Sequence, residues 1–193
     1  MIEVVTKMAV IKQDVRIMRT LNLIRGAFLA LLEEKGFENM TVQDILDRTQ
    51  INRSTFYAHF KNKNDVAKMF IDEIKGLLYS NFETRFSIPT REFVQKMIPI
   101  FWQYKDMIRL IGRIETPRIN LYSELQRITK QVYIQQAILK TGKSSEELDL
   151  QGHIFAVTTL GLMRYFIENN EISTPNKIIG DLEEVFNLLI IPE

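Results

Sequence analysis

Apolar residues recur along this chain at spacings of three and four, and no stretch alternates at the spacing of two that a half-buried strand requires. Ile17, Leu21, Ile24, Phe28, Leu31 and Leu32 form one such stripe and predict a helix from about Asp14 to Lys35. Gly36 suits its C′ position, and Phe37 folds back onto the core. The first ten residues carry no firm pattern and are expected to be disordered. Thr41 reads as the next N-cap, with Asp44 reaching back to it, and Val42, Ile45 and Leu46 as the apolar side of a short helix. A turn follows at Gln50-Ile51-Asn52, with Asn52 as a second cap, and the next helix buries Phe56 and Phe60. A longer fourth helix begins near Asp65 and runs to about Phe82, burying Val66, Met69, Phe70, Ile74, Leu77 and Leu78.

Pro89 then marks a break. Beyond it the pattern predicts helices over 91–105 (kinked at Pro99), 106–114, 121–140 and 175–190, and one from Ser144 or Ser145 to Asn169. The fold class is therefore all-α: an N-terminal three-helix helix-turn-helix head plus a C-terminal helical domain, about nine helices in total. The expected domains are 1–64 and 65–193, with the fourth helix as the mechanical link.

The exposed side of the third helix carries Arg53, Ser54, Thr55, Tyr57, Ala58 and His59, with no acid among them. Arg makes two bonds to guanine, and hydroxyls bond phosphate or base. A helix-turn-helix presents such a helix to the major groove. An ordinary helix pair in an all-α core gives the same local pattern, so the pattern alone leaves both readings open. Phe56 and Phe60 point inward by their spacing and are core, not stacking platforms.

Run together, Ile51-Asn-Arg-Ser-Thr-Phe-Tyr-Ala-His-Phe-Lys-Asn-Lys63 resembles the signature of the TetR/AcrR family of transcriptional regulators, and the likeness extends from Arg16 to about Asp72. Thr49-Gln50 departs from the Ala-Gly usual before the cap. The resemblance implies double-stranded DNA as partner, a homodimer on a palindromic operator, and an unidentified small-molecule effector bound in the C-terminal domain. It favours a ligand-responsive repressor. An activator recruiting a partner through the C-terminal domain, a non-specific DNA-packing protein, and a helical small-molecule or lipid carrier are the alternatives. DNA contacts are expected from Thr41 and Gln43 at the second helix, from Arg53, Ser54, Thr55, Tyr57 and His59, and from Lys63 at the start of the fourth helix. For Tyr57 and His59 the bland reading is partial burial in the head.

Charge adds weight to the head. The net charge of +1 names no partner by itself, but Lys12, Arg16, Arg19, Arg48, Arg53, Lys61, Lys63 and Lys68 gather in or just before the motif. With no cysteine there is no disulfide or thiolate site, and His59 and His153, the only histidines, give no zinc spacing. No cofactor and no metal are expected. No apolar run approaches the roughly 18 residues of a membrane span, which makes the cytoplasm the expected location and a membrane partner unexpected. Nucleophile elbow, phosphate loop and metal motif are all lacking, so no enzyme is expected.

The C-terminal helices are rich in aromatic and Met side chains, among them Phe93, Met97, Phe101, Phe155 and Met163. For any one of these, core packing is the bland reading. If they line a cavity, Trp102, Tyr122, Tyr133 and His153 are the candidate ligand-orienting residues. Gly152, Ala156 and Gly161 are spaced to admit another helix, and the last helix is apolar on more than one side, both suited to dimer packing.

Overall fold

The computed structural model describes the backbone of residues 2–189 and their side chains other than those of 2–14, 83, 84 and 189. Eight helices are found among these residues: α1 (Ile2–Asn39), α2 (Val42–Thr49), α3 (Arg53–Tyr57), α4 (Lys63–Arg85), α5 (Thr90–Ile111), α6 (Leu121–Thr141), α7 (Asp149–Glu168) and α8 (Pro175–Leu189). The chain divides into two compact units, Met1–Phe70 and Ile71–Glu193, so the boundary falls inside α4.

In the first unit, Ile24, Phe28, Leu31 and Leu32 of α1 are buried, as their periodicity requires. Gly36 interrupts the helix with φ 73° and ψ 164°, a conformation open to glycine, and this kink turns Phe37 inward. Phe28 is fully buried between Phe70, stacked at 5.6 Å between centroids, and Phe37, edge-on at 6.3 Å. Removing such a ring costs about 3–5 kcal/mol. α2 opens with a complete capping box: the Asp44 N–H donates to the Thr41 hydroxyl at 3.1 Å, and the Thr41 N–H donates to the Asp44 carboxylate at 2.8 Å. Gln50 takes the left-handed conformation that closes α2 (φ 55°), the place where Gly would be usual.

The second unit differs from the expected element list at three points. α5 is one helix through Pro99 and Asp106, where a break had been expected. Met97, Met107, Ile108, Leu110 and Ile111 are all buried, so the apolar stripe continues across Asp106, which pairs with Arg109 at 3.7 Å on the exposed side. That fusion reduces the expected nine helices to the eight described. A two-residue antiparallel ladder, β1 (Glu115–Thr116) with β2 (Ile119–Asn120), follows around Pro117. Two pairs are too short to show as alternation in a sequence. Finally, Ser144 and Glu147 make their reciprocal cap bonds (2.9 and 3.3 Å), yet these hold only a turn; α7 opens at Asp149, tied to Lys130 of α6 at 2.6 Å.

α6 packs along α7, and α5 packs on both α7 and α8. Gly152 serves the first of these contacts: a Cβ there would lie 2.9 Å from Ile134 Cγ1. With Ala156 fully buried, two of the three small residues expected at a dimer surface are used within the chain. Gly161 alone is exposed.

Candidate nucleic-acid interface

The turn between α2 and α3 fixes which side chains of the head face outward. Phe56 is fully buried and Phe60 nearly so, which leaves Arg53, Ser54 and Tyr57 exposed, and Thr55 and His59 half-buried. α3 is shorter than expected: Phe60 lies beyond its end, though its N–H still reaches the Phe56 carbonyl at 2.9 Å. Asn52 has the extended backbone of an N-cap but makes no side-chain cap bond.

Two expected contacts are linked before any DNA arrives. Arg53 donates from Nη2 to Gln43 Oε1 at 3.3 Å, and Gln43 Nε2 donates to Asp47 Oδ1 at 2.8 Å. The Arg53 guanidinium also lies 5.9 Å from the Tyr57 ring, which stands edge-on to Phe56. This chain from Asp47 to Tyr57 restricts the Arg53 side chain and lowers the entropy it would lose in any further contact. Asp47 was not foreseen as a site residue; its i,i+4 spacing from Gln43 is the signal.

Thr41 and Lys63 are differently engaged. The Thr41 hydroxyl donates to Asp44 Oδ2 at 2.8 Å and accepts from the Asp44 N–H, so its polar groups serve the cap. Asp44 in turn accepts from Lys35 at 2.6 Å, and this ammonium together with the Thr41 donors holds its pKa at about 2. The Lys63 ammonium donates to the carbonyls of Phe37, Glu38 and Met40 at 2.7, 3.2 and 2.8 Å, and lies 4.6 Å from the Phe37 ring centroid. Those three bonds occupy all of its donors. Arg48 is paired with Glu34 at 2.8 Å. Among the described residues no carboxylate pairs with Arg53, Lys61 or Lys68. The side chain of Lys12 lies outside the described residues.

In the second unit a cavity of about 510 Å³ lies between α5, α7 and α8, and Arg85 at the end of α4 also lines it. Of the four residues expected to orient a ligand, only Tyr133 reaches this wall, where its hydroxyl is bonded to Gln151 Oε1 at 3.1 Å. Trp102 borders a separate small void of about 60 Å³ beneath Lys105. Tyr122 stacks under Arg164 at 4.7 Å in a third, polar recess, where burial pushes its phenol pKa up. His153 is exposed on α7 and borders none of these spaces. The four were selected by chemical type, whereas helix phase decides what faces the cavity. Phase would have selected Arg85, three residues after the buried Phe82 on the stripe Ile74, Leu78, Phe82.

A sequence model of the tetR family of bacterial regulatory proteins matches residues 24–68, from the later part of α1 through α2 and α3 into the start of α4. The HTH-type transcriptional regulator YxbF of Bacillus subtilis (strain 168) is 23% identical over 168 residues, 84% of this chain and 43% of that protein. The chain thus spans less than half the length of that relative. Two solved structures share the fold across 89% of the chain, each with a TM-score of 0.62. One is a TetR transcriptional regulator from Streptococcus agalactiae 2603V, 18% identical, with 95% of it covered. The other is a regulator of the same family from Aquifex aeolicus VF5, 20% identical, with 99% covered. Residues 24–68, which hold the outward face of α3 and the capped turn before it, thus match the tetR family of bacterial regulatory proteins, and 89% of the chain shares the fold of solved TetR-family regulators.

Proposed function

We propose that the regulator binds a palindromic operator as a homodimer, represses transcription there, and releases the DNA when a small molecule occupies the C-terminal cavity. The observation that carries the DNA part is the acid-free outward face of α3, where Arg53 is pre-oriented by Gln43 and Tyr57. Arg53, Ser54, Thr55 and Tyr57 meet base edges and adjacent phosphates, with Gln43 and His59 at the margin.

The dimer reading draws support from α7 and α8. Leu150, Ile154, Val157 and Tyr165 are all about half exposed or more and follow one another at helical spacing on α7, with Gly161 between the last two. On α8, Val185 and Leu188 are exposed as well. An exposed apolar stripe of this length is a mark of an interaction surface. A two-fold dimer places two reading helices on half-sites about one DNA turn apart.

Selection of bound sequences from random duplex DNA tests the reading. The expected result is a palindromic consensus for the wild-type chain. Val157→Glu is expected to shift the protein to monomer in sedimentation and to abolish selection of paired half-sites. A consensus with a single half-site, or a wild-type monomer that selects the full site, would rule out the dimer.

A further inference from the structure

Burial and charge disagree at one point on the cavity wall. The stripe of α4 that buries Ile74, Leu78 and Phe82 carries Arg85 next, and so brings a guanidinium to an otherwise apolar space. Its central carbon lies 5.4, 5.7 and 6.0 Å from the ring centroids of Phe93, Phe86 and Phe155. Among the described residues no carboxylate pairs with it. Burial pushes its pKa down, the direction of a cation losing water without gaining a counter-charge. Beyond it the wall is made largely of residues such as Met97, Phe101, Leu162 and Ile178. The polar exceptions are neutral, and the hydroxyls of Thr158 and Thr159 make no hydrogen bond among the described residues.

A ligand's chemistry follows from these facts. An apolar body alone would strip the guanidinium of its remaining water and give nothing in return. A cationic head would add repulsion in a medium of low dielectric. A second negative charge would find no further cation on the wall. One carboxylate meets the guanidinium fork in two parallel bonds. At about 510 Å³ the cavity lies within the range of sites that take small molecules, with room for an apolar chain.

We infer that the cavity takes an amphiphilic monoanion, one carboxylate on an apolar body, with Arg85 as its anion anchor. This rests on the effector-binding reading of the C-terminal unit and names the class of ligand for it. Arg85 is also the last residue of α4, the helix that Lys63 opens on the carbonyls of Phe37, Glu38 and Met40. A ligand held there acts on the end of that helix.

Dodecanoate, dodecanol and dodecyltrimethylammonium share an apolar chain and differ in head charge. Each is titrated into the full-length chain by calorimetry below its micelle-forming concentration. Dodecanoate is expected to bind once per chain and at least about tenfold more tightly than dodecanol, the size of one charge-assisted pair, with the cation weakest. Arg85→Met is expected to erase the preference while retaining affinity for dodecanol. Leu162→Trp, which fills the cavity, is expected to abolish binding of both. Equal affinity for acid and alcohol, or a preference that survives Arg85→Met, overturns the anion anchor and leaves an effector cavity standing. Binding undiminished in Leu162→Trp places the ligand elsewhere and overturns the proposal. No binding of any probe to the wild-type chain overturns the cavity reading itself. The three-probe comparison on the wild-type chain decides the charge question even where Arg85→Met does not fold.

Discussion

Replacing Lys63 with Met separates two roles for that side chain: a staple within the head, and a phosphate ligand. Methionine keeps most of the apolar stem and removes the ammonium. The carbonyls of Phe37, Glu38 and Met40, at 2.7–3.2 Å from it, then lose their shared donor. They sit just beyond the Gly36 kink, where the chain has left the helical ladder and cannot supply another N–H. A hydrogen bond to a charged group contributes about 1.5–3 kcal/mol. The three share one charge and are partly open to water, so their joint loss is worth about 2–4 kcal/mol, well short of additivity. Against a typical total of about 5–15 kcal/mol the head remains folded but measurably weaker. Urea denaturation followed by far-ultraviolet dichroism should show a lower midpoint with the slope unchanged. In parallel, the slope of log affinity against log salt on operator DNA should stay at the wild-type value. Were Lys63 neutralising a phosphate, its removal from both protomers would instead make that slope shallower by about 1.8, about 0.9 for each. An unchanged midpoint together with a shallower salt dependence would refute the staple.

Three further outcomes follow from the same geometry. Asp44 titrates in the folded chain at about 2, below its ordinary 3.8, so its contribution is fully present above about pH 4 and is lost as pH falls toward 2. The urea midpoint should fall across that window, and Asp44→Asn should flatten the fall; an unchanged slope in the variant would contradict the assignment. Gly112→Ala sets a Cβ 2.7 Å from Tyr122 Cε2 and 2.8 Å from the Ile108 carbonyl, and thermal unfolding should report a loss of about 1–3 kcal/mol. Thr129 buries its hydroxyl without a partner among the described residues, so Thr129→Val should be neutral or stabilising by about 1 kcal/mol; a loss of that size would show that the hydroxyl is bonded.

The head was legible because several local signals agree there. Thr41 and Asp44 form the capping box that their spacing announces, and Phe28, Phe56 and Phe70 are buried where periodicity puts them. The side of Lys63 that matters was not legible. Its partners are main-chain oxygens about 25 positions earlier, and carbonyls carry no residue-type signal. In the second unit the helices were readable but their junctions were less so. Asp106 looks like a helix start until the buried stripe is followed through it, and Ser144 with Glu147 makes a real cap on a turn that does not become the helix. The residues that line the cavity were hard to read for a different reason. Trp102, Tyr122 and His153 were chosen by the chemistry of their side chains, while Arg85 reaches the wall by its phase on α4.

The claim that α3 reads base sequence rests above all on Arg53. Binding of the wild-type chain and of Arg53→Ala should be compared at one salt concentration, on the selected duplex and on a scrambled duplex of equal length. The wild-type chain should favour the selected duplex by about 10³-fold or more. Arg53→Ala should lose about 1–3 kcal/mol per half-site on that duplex and far less on the scrambled one. Equal losses on both duplexes would make Arg53 a phosphate ligand alone and contradict the account.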